Sequence, residues 1–152
     1  MSSTLVLATV PLLLAAGLLA LMKVPTNLQL TVTDTALVIE PQGLDRWWTR
    51  RDRIEVPVAA IASVRIVPRS EAPELGRRRG GLHLNGVITA GARGGDGPET
   101  FWDVRRGDQL LMITCRPGAE FGALVLQFAN PFATLTRTRT VLAHNRTRST
   151  SV

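Results

Sequence analysis

The chain has 152 residues, 45% of them hydrophobic, and its 18 Lys and Arg against 12 Asp and Glu leave a net charge of +6. That length accommodates one domain with an apolar extension and not two full domains. The single cysteine, Cys115, excludes an internal disulfide framework and cannot by itself make a zinc site, which takes several ligands.

Residues 1–3 form a short polar tail. From Thr4 to Met22 there is no charged residue, and Leu, Val and Ala dominate. At a rise of about 1.5 Å per residue this stretch extends roughly 28 Å, close to the ~30 Å hydrocarbon core of a bilayer. Pro11 and Gly17 would weaken a soluble helix but are tolerated in membrane helices. The sequence therefore predicts one transmembrane helix over 4–22, making the chain a single-pass integral membrane protein. A cleaved signal peptide, leaving an exported domain, is the alternative. It lacks support at both ends: Met1-Ser2-Ser3 has no basic residue, and Leu18 to Met22 offers no small-residue cleavage pattern. Lys23 follows the apolar stretch at once while the other end has no Lys or Arg, which orients the domain to the cytoplasmic side of the cell membrane.

Residues 23–27 read as a linker, with Pro25, Thr26 and Asn27 breaking the helix. The domain proper is expected over 28–144. Leu28, Leu30 and Val32 alternate with polar neighbours, Thr33-Asp34-Thr35 turns, and Ala36 to Glu40 returns, which is a hairpin pattern. After Pro41-Gln42-Gly43, Leu44 to Arg53 is dense in Trp and Arg. Ile54, Val56 and Val58 alternate again, Ile61 to Val67 is β-rich, and Pro68 to Glu74 reads as an exposed loop. One further strand is expected from Leu82 through Thr89, and Gly91, Gly94, Gly95 and Gly97 read as a hairpin tip. Thr100 to Val104, Gln109 to Cys115 and Phe121 to Phe128 complete about seven strands. Asn130-Pro131 is a helix start, a capping side chain followed by proline at the first helical position. Phe132, Leu135 and Leu142 then recur at helical spacing beside Val141. Residues 145–152 read as a flexible polar tail. The fold class is thus mainly β with a C-terminal α-helix, a small barrel or sandwich preceded by one transmembrane helix.

Several runs carry a resemblance: Gly43-Leu44-Asp45-Arg46-Trp47-Trp48, Ile54 to Val58, Ile61 to Val64, Arg79 through Gly91, Phe101-Trp102-Asp103-Val104, Leu124-Val125-Leu126 and Asn130-Pro131. Together they resemble a group of bacterial pleckstrin-homology-like (PH-like) proteins over about Thr33 to Thr136. The resemblance implies a PH-like fold and a binding or scaffold module, with no catalytic residue, ligand or cofactor carried over. Phosphoinositide-binding members usually hold the headgroup with basic residues in the loop joining the first two strands. Here that loop is Thr33-Asp34-Thr35, which argues against specific phosphoinositide recognition.

Two basic clusters are the candidate contacts. Nearly all the basic residues are arginine, whose planar fork suits phosphate and carboxylate groups. Arg77-Arg78-Arg79 precedes Gly80-Gly81, which can clamp a phosphate with glycine admitting a close backbone approach, or stand as a solvated loop. Arg46-Trp47-Trp48 with Arg50, Arg51 and Arg53 mixes aromatic faces with charge. Trp48, Arg50 and Arg51 are the candidate membrane or ligand contacts there, with one Trp of the pair expected in the core. The anchor disfavours nucleic acid as partner. An anionic lipid is admitted, and a protein partner or self-association is expected. His83 and His144 lack companions at metal-ligand spacing, so no metal site is nominated. No GxxxxGK[ST], HExxH or GxSxG pattern occurs, and the acidic residues are scattered, so no catalytic residue or cofactor is nominated and the chain reads as a non-enzyme.

Overall fold

The computed structural model describes residues 10–17, 19–20 and 25–149. Its domain is mainly β, ten strands in two sheets, followed by a C-terminal helix. The smaller sheet is an antiparallel meander of β1 (Leu28–Val32), β2 (Ala36–Pro41) and β3 (Ile54–Pro57). The turn between β1 and β2 is held by Thr33, whose backbone N–H and side-chain hydroxyl both donate to the Ala36 carbonyl. Helix α2 (Leu44–Thr49) connects β2 to β3.

The larger sheet is ordered β4 (Ile61–Pro68), β9 (Gln109–Cys115), β10 (Phe121–Leu126), β8 (Glu99–Val104), β7 (Ile88–Gly94), β5 (Arg77–Arg78). Strand β6 (Leu82–Leu84) also pairs with β7. All pairs are antiparallel except β8 with β10, which run parallel, so the chain crosses over rather than following a simple meander.

The two sheets share one core. Leu37 and Ile39 of β2 and Ile54 and Val56 of β3 meet Ile61, Val64, Phe101, Leu111, Ile113, Leu124 and Leu126 of the large sheet. Each such side chain, fully enclosed, contributes about 1.5–3 kcal/mol. Helix α3 (Pro131–Ser149) lies against β1, β4 and β9 and closes one seam between the sheets with Leu142. Arg139 fastens it there, donating through Nε and Nη2 to the Val64 carbonyl at 3.2 and 2.9 Å. Helix α2 lies against β2, β7 and β8 at the opposite seam. The far face of the large sheet carries Val67, Trp102, Val104, Leu110, Met112 and Val125, with Ala72 and Leu75 packed on it.

Several expectations need revision. Leu44–Thr49, read from sequence only as dense in Trp and Arg, is a short helix that turns Asp45, Thr49 and the half-buried Trp48 inward and leaves Trp47 exposed. The single strand expected from Leu82 to Thr89 is two strands, β6 and β7, with a turn at Asn85-Gly86 where Gly86 has φ 71°. Gly91 and Gly94 belong to β7, so the hairpin tip begins only at Gly95. Of the expected exposed loop, Pro68 ends β4 and Arg69, Ser70, Glu71 and Glu74 are exposed, while Ala72 and neighbouring Leu75 pack onto the sheet. Phe132 is 63% exposed, and the buried side of α3 uses Thr138 and Asn145 with Leu142. The helix also runs on to Ser149, past the residue where a flexible tail was expected, because the Asn145 amide donates to the Thr33 carbonyl at 3.0 Å.

The membrane helix expected over 4–22 is described only at 10–17 and 19–20, which are helical (α1); the rest lies outside the described residues. No helix among the described residues is long and apolar enough to cross a membrane. The tails at 1–3 and 150–152 also lie outside the described residues.

Candidate functional site

Two regions combine charge, exposure and unusual geometry. The first is centred on α2. The helix is too short to be stable alone, and it is held by its buried face. Asp45, 2% exposed, accepts the Asn27 backbone N–H at 2.5 Å through Oδ2 and the Arg105 Nη2 donor through Oδ1. Thr49, equally buried, donates its hydroxyl to the Asp45 carbonyl at 2.8 Å. Gln42 N–H donates to the Asn27 carbonyl, and Thr26 donates its hydroxyl to the Gln127 carbonyl. The chain leaving the N-terminal apolar segment is therefore tied to α2 and to the end of β10 before the first strand begins.

Arg105 is the hub of this knot. Its Nη1 donates to Asp103 Oδ1 at 3.1 Å, and its guanidinium lies over the Trp48 ring, 4.8 Å from the centroid. Gln127 Oε1 accepts the N–H groups of Arg105 and Gly107 at 2.8 and 3.0 Å. One cation between two buried carboxylates leaves a net negative charge in a low-dielectric site, and a proton relieves it. Asp103 takes that proton: it has no solvent exposure, its Oδ2 has no partner, and burial pushes it up to about 8. Burial also brings the Arg105 guanidinium down to about 10, still charged at neutral pH.

The outer side of α2 is the reverse of its inner side. Trp47 is 81% exposed and Leu44 53%. Arg46 pairs with Asp52 in solvent, and Arg50 caps the helix at φ 55°, a left-handed conformation that glycine normally occupies. Arg46, Trp47, Arg50 and Asp52 line one shallow depression. Among the sequence-nominated residues here, only Arg50 stands free of the core. Trp48 is half-buried against Arg105 and packs beside Val87, Ile88 and Ala90. Arg51 pairs with Glu120 at 2.9 Å and lies over the Phe121 ring. Sequence reasoning nominated Trp48, which is half-buried, and left out the exposed Leu44 and Trp47; a helical reading of 44–49, which separates positions 44 and 47 from 45 and 49, distinguishes them.

The second region is the β5–β7 edge of the large sheet. Arg77 and Arg78 are exposed and pair in register with Gly94 and Arg93. Arg79 reaches Glu99 at 3.7 Å and so is partly neutralised. Sequence reasoning missed Arg93, which is only 6% exposed and whose Nε and Nη2 have no hydrogen-bond partner. Burial, followed by the charge of Arg78, holds its guanidinium below the ordinary value. Between β5 and β6 the backbone at Gly80-Gly81 presses onto β7: a Cβ on Gly91 would stand 2.6 Å from the Gly80 carbonyl oxygen. Beyond that contact His83 Nδ1 lies 3.0 Å from the Thr89 hydroxyl. Burial and the nearby Arg93 charge lower the His83 pKa, so the ring is neutral at pH 7.

The two arginine-rich regions of the sequence are not brought together as one site. Among the described residues no group of three His, Cys, Asp or Glu is placed to hold a metal ion. Cys115 is buried, and burial raises its thiol pKa, the opposite of an activated nucleophile. No family model matches the chain, and neither the curated proteins nor the solved structures contain a match.

Proposed function

We propose that the chain is a membrane-anchored, non-catalytic binding or scaffold module of PH-like type, held against the cytoplasmic face of the cell membrane by α2 and serving a protein partner or a second copy of itself. The observation that carries this reading is the tie between Asn27 and Asp45. If residues 4–22 cross the bilayer, Pro25 lies within about 10 Å of its surface, since three extended residues reach no farther. The hydrogen bonds of Thr26 and Asn27 then bring α2 to that surface with Leu44, Trp47, Arg46 and Arg50 outward. Tryptophan and arginine are the side chains that favour the headgroup region. The apolar helix itself supports the anchor: Leu12, Leu13 and Leu14 are each 70% exposed or more, surface that water would not tolerate uncovered.

A non-catalytic role is supported by where the shifted groups lie. Asp103 and Arg105, the groups with large shifts among the described residues, are enclosed and joined to each other. A protein segment has a place to dock. Strand β1 is the outer strand of its sheet, and a groove of about 530 Å³ between it and α3 is lined by Leu28, Leu30, Val32, Arg137 and Val141. Free strand edges beside a helix accept an added strand.

Cell fractionation with protease treatment of a C-terminally tagged full-length chain tests the reading. A membrane-bound product protected until the cells are opened supports it. A shortened soluble product, or digestion in intact cells, contradicts the anchor or the orientation.

A further inference from the structure

We propose that the β5–β7 edge is an oxyanion site in which Arg78 and Arg93 hold a phosphate group between them. The register sets these two arginines directly opposite each other across the ladder, and like charges in that position repel. An anion lying between the two guanidiniums removes that repulsion. Arg93 sharpens the problem, because it is 94% buried by its 6% exposure and two of its nitrogens lack any acceptor. An enclosed, unpaired cationic group is among the most costly features a fold can retain.

The unmet groups beside it are all donors. Trp102 pairs in register with Gly91, so it stands on the same sheet face as Arg93 and one diagonal away, and its Nε1 also has no partner. Three covered N–H-bearing nitrogens with no acceptor, and an exposed guanidinium facing them, call for a guest that is rich in acceptors and doubly negative. A phosphate carries about −1.5 to −2 charge with three or more acceptor oxygens, and arginine meets it bidentately. A carboxylate would balance only one of the two cations. The glycine contact at Gly80, Gly81 and Gly91 brings the β5–β6 connection down onto β7 and fixes Arg78 over its partner. Access is from the Arg78 side, at the two-residue strand that ends the sheet. The phosphate could belong to a lipid headgroup or be free in solution, and the site does not depend on whether residues 4–22 cross a bilayer.

The test is thermal unfolding of the full-length chain in phosphatidylcholine vesicles, titrated with inorganic phosphate against chloride at matched ionic strength. Saturable stabilisation, raising the midpoint by several degrees at phosphate well above its Kd, is expected for the native chain. Arg93→Gln and Arg78→Gln should each abolish it. Arg93→Gln should also leave the phosphate-free midpoint unchanged or higher, since it removes an unpaired buried charge, so loss of response cannot be ascribed to misfolding. A second arm adds phosphatidic acid to the vesicles. A midpoint already raised, with inorganic phosphate adding nothing, identifies the lipid headgroup as occupant. An unchanged midpoint that still responds to inorganic phosphate identifies the free anion. No response beyond the chloride control in either arm, or an equal response in the two variants, would overturn the proposal.

Discussion

Replacing Asp103 with asparagine isolates the one buried proton on which the α2 knot depends. In the native chain the carboxyl is fully enclosed, shares Arg105 with Asp45, and has an unpartnered Oδ2. Its pKa of about 8 when folded compares with an ordinary value of about 3.9. Between those two values the folded chain holds a proton that the unfolded chain has released. Stability from this group is therefore complete at pH below the ordinary carboxylate range and is lost as pH rises toward 8. One proton corresponds to a slope of about 1.4 kcal/mol per pH unit, so roughly 3–4 kcal/mol disappears between pH 5 and pH 8. Asparagine keeps the shape and the acceptor for Arg105 and cannot ionise. Urea unfolding followed by tryptophan fluorescence, at a series of pH values, should show the variant gaining on the native chain by that amount from pH 5 to pH 8. The comparison cancels His83, whose lowered pKa has the opposite effect, costing stability as pH falls below about 6.5. Parallel curves for the two chains would refute the protonated Asp103.

Other consequences follow from the same contacts. Arg105→Met leaves the enclosed Asp45 carboxylate without its cation and the Asp103 carboxyl without its donor, and should cost about 3–5 kcal/mol, read as a lower urea midpoint. Arg50→Gly relieves the left-handed cap and should stabilise the domain by up to about 1 kcal/mol while weakening contact with anionic vesicles; a loss of stability would show that the side chain, and not the backbone, is what the fold requires. Gly91→Ala meets backbone at 2.6 Å with φ 112°, so it should unfold or severely destabilise the β5–β7 edge, visible as lost amide protection there. Cys115 should resist thiol reagents in the folded chain and react only on opening, which makes its labelling rate a measure of core exposure.

Much of the β framework was legible because the alternation is regular where one face of a strand is wet. Strand β1 is such a case, whereas β2 and Gln109–Cys115, buried on both faces, were readable as apolar runs between turn residues. The helix start at Asn130-Pro131 was equally readable, and the Asn130 side chain does accept the Ala133 N–H. What resisted reading has identifiable causes. The buried side of α3 is carried partly by Thr138 and Asn145, polar residues whose hydrogen bonds are made after docking, so the apolar stripe misdirects attention to Phe132. The parallel β8–β10 pairing leaves no local mark, because register between strands distant in sequence is set by the shared core. Nothing local in the sequence separates Arg93 from the exposed arginines; its place opposite Arg78 and its burial are set by the sheet. Asp45 and Arg105 are separated by 60 residues, so their pairing could not be inferred from spacing.

The proposed seating of α2 on a bilayer is tested most directly by depth-dependent quenching of Trp47. The native chain and Trp47→Phe would be reconstituted in vesicles containing lipids brominated at different depths along the acyl chain. Trp47→Phe should change stability by less than about 0.5 kcal/mol, because the side chain is exposed, so the two chains can be compared directly. Seating predicts that shallow quenchers reduce native fluorescence and that this component vanishes in Trp47→Phe. Equal quenching of the two chains would place α2 away from the bilayer and contradict the proposed function.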